Sequence, residues 1–247
     1  MRSGDSTGEQ ATLAVTMPTS PAHGSNDPAA DKAAAGKAAP VGCVVLFVRH
    51  GQTPTTGDVL PGRAPGLHLA PEGVEQARGV AERVAGLGRV KAVYASPMER
   101  AVETAAPIAR ACGLRVRKNP GLIECDFGRW TGRKLKTLSR RKEWTTVQRH
   151  PSGFRFPGGE SFAEMQSRAL DAVSQITARH RGQTVVAVSH ADVIKALAAA
   201  AAGTPLDLFQ RIVVSPCSVT AIAYHPAGPV LLTVNNTGDD LAALRPS

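Results

Sequence analysis

Three short runs, "CVVLFV" at 43–48, "VKAVYA" at 90–95 and "TVVAVS" at 184–189, place the tightest constraint on what this chain can fold into. Each is largely apolar and rich in β-branched residues, the pattern of strands covered on both faces. Between them, Ala77, Val80, Val84 and Leu87 recur at steps of three and four, as do Phe162, Met165, Ala169, Val173 and Ile176. That spacing predicts helices with one buried face. "RIVV" (211–214), "VTAIAY" (219–224) and "PVLLTV" (229–234) predict further strands. Strand, helix and strand in this order predict an α/β domain with a mostly parallel sheet and an antiparallel or edge element near the C-terminus.

That pattern begins only after residue 40. Residues 1–40 are Ala, Gly, Ser, Thr and Pro without a sustained apolar period, and they read as a disordered tail preceding a folded domain at 41–247. The tail carries a net charge of −1 within a chain of +9, so the basic surplus belongs to the domain and hints at an anionic ligand. Cys43, Cys112, Cys125 and Cys217 are scattered without metal-finger spacing, which reads as reduced thiols in a cytoplasmic protein. No apolar run has the length of a membrane span, so no membrane partner is expected.

In an open α/β sheet, ligands collect beyond the carboxyl ends of the strands. Arg49 and His50 follow the first run. "ASPMERAVETA" follows the second, with Ser96 and Glu99 spaced as a capping box around Pro97, which puts Arg100 in the first helical turn. A cation there opposes the helix dipole, and a bound anion would offset it. "SHADVIK" follows the third run, placing His190 at a strand-to-helix turn with Ser189 as a possible cap. Singly, each residue has a structural reading; Arg100, for instance, can pair with Glu99 or Glu103 on its own helix. Four such residues at three strand ends suit a phosphoryl group, because guanidinium forks match its oxygens. A neutral imidazole can also attack phosphorus at pH 7.

"LFVRHGQT", "SPMERAVETA", "LIECDFGRWTG", "FPGGES" and "VSHADVIK" together resemble the ordered motifs of the histidine phosphatase superfamily. The resemblance covers about residues 43–225 and is nearest to a bacterial subgroup described as probable phosphomutases, with segments like "TGRKLKTL", "VQRHPSG" and "LDLFQRIVV". It implies the phosphoglycerate mutase-like fold, a three-layer sandwich with helices on both faces of the sheet. By motif position, His50 resembles the phosphorylated nucleophile, and Gly51 the residue that lets backbone approach the phosphate. Arg49 and Arg100 resemble the guanidinium pair, His190 the second histidine, and Glu124 the acid that protonates the leaving oxygen. Asp126 is the rival for that last role. Gln52 and Thr56 would complete the phosphate contacts; Thr56 stands where relatives commonly have Asn, and Ala191 where they have Gly. No metal or cofactor is implied.

The expected activity is therefore metal-independent hydrolysis of a small phosphorylated metabolite through phosphohistidine. A phosphomutase is the alternative, although the long insertion of phosphoglycerate mutases has no counterpart here. Residues 132–150 carry seven basic side chains against Glu143; the segment could form a lid, and its charge points to a multiply anionic substrate. A non-catalytic nucleic-acid module is a third reading. It is disfavoured because Trp130, Trp144, Phe154 and Phe156 do not alternate with the basic residues as a stacking platform would. Oligomeric state is not legible in the sequence.

Overall fold

β1 (Cys43–Arg49) is buried along nearly its whole length because it has a neighbouring strand on each side and a helical layer on each face. The computed structural model describes residues 42–238, so the tail expected at 1–40 lies outside the described residues. After β1 come β2 (Val59–Leu60), α1 (Pro71–Ala85), β3 (Val90–Ala95), α2 (Glu99–Ala111) and β4 (Val116–Lys118). The chain continues through β5 (Arg133–Lys134), α3 (Leu135–Leu138), α4 (Lys142–Arg149) and α5 (Phe162–Arg179). It closes with β6 (Thr184–Ser189), α6 (Ala191–Ala201), β7 (Val219–His225) and β8 (Gly228–Asn236).

The main sheet has the order β4-β3-β6-β1-β7-β8. β4, β3, β6 and β1 are parallel, whereas β7 and β8 run antiparallel and form the expected C-terminal edge. Alternate residues of β1 face opposite ways, as the pleat requires. Val44, Leu46 and Val48 pack against Ala77, Val80 and Val84 of α1 and Ala101, Ala105 and Ile108 of α2. Val45 and Phe47 belong to the other core, with Phe162, Met165, Ala169, Val173 and Ile176 of α5 and Val193, Ile194 and Leu197 of α6. The result is the expected three-layer α/β sandwich.

Register sets the position of the site. Arg49 pairs with Ser189 and Ala95 with Val188, so β1, β6 and β3 end at one level. The His50 N–H donates to the Ser189 carbonyl at 2.9 Å and the Ser96 N–H to the Val188 carbonyl at 2.9 Å. The residues that follow all three strands therefore meet above the same edge.

Three local expectations need correction. "RIVV" is not a strand: Leu206–Arg211 is a 3₁₀ helix, and the Val214 carbonyl accepts from Arg49 Nη1 at 2.7 Å instead of joining a ladder. Ser96 and Glu99 do not form a capping box; α2 begins at Glu99 with Met98 as N-cap, and neither residue's side chain caps the helix. Ser189 does not cap α6, because its hydroxyl donates to the Leu122 carbonyl at 2.7 Å. In both cases a buried polar partner near the strand ends takes the hydroxyl that a solvent-exposed turn would have left for the helix.

Candidate active site

A cavity of about 320 Å³ opens above the strand ends, lined by Arg49, His50, Thr53, Thr56, Glu124 and Ala191 on its polar side. Arg100 and His190 lie behind it, both fully buried. His50 comes directly after β1 and is 5% exposed. Its Nδ1 lies 2.8 Å from the Gly51 carbonyl, which can only accept, so Nδ1 carries the proton and Nε2 keeps a free lone pair. Burial, then the charges of Arg100 and Arg49, lower its pKa to about 3. The imidazole is thus neutral at pH 7, the form in which it is a nucleophile.

His190 caps the β6-to-α6 turn with its ring 5.2 Å from that of His50. Arg100 Nη2 lies 3.3 Å from His190 Nδ1, so Nδ1 accepts and Nε2 carries the proton that is donated to Ser96 Oγ at 2.7 Å. Burial first, and the Arg100 charge second, hold this imidazole well below the usual histidine range. The 3.8 Å approach of Glu124 Oε2 to Nδ1 is therefore not an ion pair.

Arg100 also donates from Nη2 to the Gly62 carbonyl at 2.8 Å, while its Nε and Nη1 have no partner among the described residues. Arg49 Nε is likewise buried without one. Leaving charged donors unsatisfied away from water is costly, so the pair forms a cationic floor suited to an oxyanion.

Glu124 is 7% exposed and lines the cavity. Burial, then the nearby charge of Asp192, raises its pKa to about 7 against the opposing pull of Arg100. Its main chain is held from two directions: Arg63 Nε and Arg168 Nη2 both donate to its carbonyl, at 2.8 and 3.0 Å, and both guanidiniums also bind Glu160. Asp126 has a different environment. Its side chain is 41% exposed, accepts from the Gly128 N–H and does not line the cavity.

The remaining expected residues take unequal places. Thr56 lines the cavity, but its hydroxyl is tied to the Thr53 N–H at 2.9 Å and to the Thr53 hydroxyl at 3.0 Å. The Gln52 N–H donates to Gln76 Oε1 and its carbonyl accepts from Ala70, so its backbone anchors the approach to α1. Gly51 gives its N–H to Thr104 Oγ1 at 3.0 Å rather than leaving it for a phosphate. A Cβ there would meet the Gly73 carbonyl at 2.5 Å, so glycine is required to seat α1 beside His50. Ala191 stands on the cavity wall at the first turn of α6.

The basic run does roof the cavity, though not with its charges. Leu135, Trp144, Val147 and Gln148 line it, while Arg133, Lys134, Lys136, Arg140, Arg141, Lys142 and Arg149 are exposed and do not. Leu60, Phe127, Phe156 and Phe162 extend the apolar wall, and Asp192, Lys195 and Gln210 supply a polar patch that the sequence reading passed over. Its signal lay within "SHADVIK": Ala191 and Lys195 are one helical turn apart on one face. Thr53, Arg63, Glu160 and Arg168 were also missed as contributors.

A family model of the histidine phosphatase superfamily, branch 1, matches residues 45–237. The chain belongs to this superfamily. Among relatives, Phosphoserine phosphatase 1 of Hydrogenobacter thermophilus is 29% identical over 198 residues, covering 78% of this chain and 92% of that protein. The probable phosphoglycerate mutase GpmB of Enterobacter sp. strain 638 is 32% identical over 184 residues, 73% of this chain and 85% of its own. Mycobacterial glucosyl-3-phosphoglycerate phosphatase superposes with a TM-score of 0.70 at 25% identity, covering 78% of this chain and 98% of that one. As a histidine phosphatase with phosphatase-named relatives, the chain is a phosphoric monoester hydrolase, and a protein named as a probable mutase is also among its relatives. Among the described residues no helix is long and apolar enough to cross a membrane.

Proposed function

We propose that this histidine phosphatase hydrolyses a small phosphate monoester in two steps, each using side chains around the cavity. His50 Nε2 attacks phosphorus, the bond to the leaving oxygen breaks, and Glu124 donates its proton to that oxygen. Water then attacks phosphohistidine with Glu124 as base, releasing inorganic phosphate and returning the proton to Glu124. Arg49 and Arg100 hold the phosphoryl oxygens, and positioning plus fixed charge supply most of the acceleration. His190 orients Arg100 and, through its N–H to Ser96, stays fixed itself.

The observation that carries this reading is the pairing of a neutral, buried His50 with guanidinium N–H groups that have no other partner. A carboxyl titrating near 7 suits alternating acid and base roles, because its two forms are then close in energy at working pH. The substrate's organic part meets mainly apolar walls with Lys195, Asp192 and Gln210 at one side, so it carries few charges beyond the phosphate. The exposed basic run no longer supports a multiply anionic substrate. Phosphoserine, the substrate in the name of the Hydrogenobacter relative, adds one ammonium and one carboxylate, for which Asp192 and Lys195 of that patch offer counterparts, and is the first compound to try.

The test uses phosphoserine, 3-phosphoglycerate and p-nitrophenyl phosphate, each radiolabelled at phosphorus. Label should appear on the enzyme as an acid-labile adduct and then as inorganic phosphate, and His50→Ala should lose both. Label passing to an isomeric acceptor would make the enzyme a mutase. Adduct formation retained within tenfold in His50→Ala would overturn the nucleophile.

A further inference from the structure

On the outer side of the roof, a second cavity of about 380 Å³ is lined by Arg129, Arg133 and Arg141, with Trp130 and Leu138 in its wall. Glu143 is the carboxylate among its lining residues. Among the described residues, none of the three guanidiniums makes a hydrogen bond or ion pair. Arg141 instead sits 5.8 Å from the centre of the Trp130 ring. Three exposed guanidiniums around one small space concentrate positive charge there, which draws an anion more strongly than any one of them would alone. Guanidinium forks match phosphate-type oxygens two at a time, which favours a polyvalent oxyanion over chloride. Trp130 is almost completely buried, and its indole N–H has no acceptor among the described residues.

One ring contact links the linings of the two cavities. Trp130 stacks on Trp144 with centroids 6.2 Å apart and planes 21° from parallel, and Trp144 lines the catalytic cavity. Arg133 lies opposite Leu60 in the β2–β5 ladder, and Leu60 lines the catalytic cavity as well. We propose that the Arg129–Arg133–Arg141 cavity is a second binding site, for a compact polyvalent oxyanion, and that its occupancy is transmitted to the catalytic cavity through the Trp130–Trp144 stack. The binding half of this proposal does not depend on which phosphoryl-transfer reaction the catalytic site performs. The same chemistry serves a free polyphosphate or the phosphate end of a metabolite.

Inorganic pyrophosphate is the probe, and intrinsic fluorescence is a direct readout because Trp130 and Trp144 are the chain's two tryptophans. The titration is run on the wild type and on Arg49→Ala, whose catalytic phosphate clamp is weakened, with ionic strength held constant by sodium chloride. A saturable change should persist in Arg49→Ala, and Arg133→Ala should weaken it at least tenfold. Arg129→Ala repeats the test at a second exposed position should Arg133→Ala fail to give the native circular dichroism spectrum. Pyrophosphate should also shift KM for p-nitrophenyl phosphate in the wild type, with a pattern that is not competitive, and this shift should vanish in Arg133→Ala. A response weakened as much in Arg49→Ala as in Arg133→Ala, reproduced by sodium chloride alone, or unchanged in Arg133→Ala and Arg129→Ala would overturn the site. Binding with an unchanged KM would overturn the coupling.

Discussion

Two carboxylates two residues apart end in different environments, and this decides which is suited to acid–base work. Asp126 is solvated and engaged by a backbone N–H, whereas Glu124 is buried at the cavity wall. Desolvation penalises the charged form, so Glu124 holds its proton up to about pH 7. In the proposed acid role of Glu124, the phosphorylation step should be fastest with its carboxyl protonated and should fall about tenfold per pH unit above 7 for an alkyl phosphate, whose leaving oxygen needs that proton. His50, with a pKa of about 3, stays neutral across this range and adds no limb of its own. For p-nitrophenyl phosphate, which leaves as its own anion, the same step should be nearly flat between pH 7 and 9. Rapid-quench measurement of phosphoenzyme checks this, and Glu124→Gln should flatten the alkyl profile as it slows it. Parallel profiles for the two substrates would remove Glu124 from the acid role. Arg100→Ala should slow the step by about 10² to 10³, the usual scale for one electrostatic donor; a change under fivefold in a folded variant would contradict it.

At the scale of elements, the site depends on how closely α1 approaches the end of β1. Gly51 and Gly73 meet backbone to backbone, and a Cβ on Gly73 would collide with the Gln52 carbonyl. This contact, with the Thr104 hydroxyl bonded to the Gly51 N–H, holds the His50 turn against α1 and α2. Gly51→Ala must push α1 away or displace His50, because the atom its Cβ meets, the Gly73 carbonyl oxygen, is backbone and cannot rotate aside. Overpacking of this kind typically costs about 1–3 kcal/mol. The expected outcome is a lower thermal midpoint together with a turnover loss larger than the stability loss explains, measured well below the midpoint. A midpoint and kcat both equal to wild type would show that the close approach is dispensable.

For the molecule as a whole, burying these titratable groups links catalysis to stability. His50 and His190 are held neutral in the folded state, and in the unfolded chain they take up protons as pH falls below about 6.5. Their contribution is thus fully present above pH 6.5 and is lost progressively as pH falls toward the folded-state pKa of about 3 for His50. Glu124 works in the opposite sense. Its pKa is raised from 4.5 to about 7, so the folded protein binds the extra proton in that window, and the cost of burying the carboxylate is complete only above pH 7. Glu124→Gln keeps an oxygen for the Cys125 N–H and removes the charge. It should raise the thermal midpoint at pH 8, by an amount corresponding to at most a few kcal/mol, and should have almost no effect at pH 4.5. A pH-independent difference between the two proteins would show that this linkage is absent.

The parallel sheet, the helix faces of α1 and α5, and the meeting of Arg49, His50, Arg100 and His190 at one rim were legible in the sequence, because each depends on local period and on strand ends. Fully apolar runs require cover on both faces, and polar residues placed directly after such runs can only stand at the sheet's edge. What could not be read locally was competition for partners. Ser96 has the spacing of a helix cap, yet a buried imidazole N–H from the end of another strand takes its hydroxyl. Gly51 resembles a phosphate-contact residue, yet the backbone of α1 fills the space where a side chain would go. The seven basic residues at 132–150 show their charge in sequence but not their direction. Only packing of Leu135, Trp144 and Val147 over the catalytic cavity turned those charges outward, because the same segment cannot bury its apolar face and its cations toward one cavity.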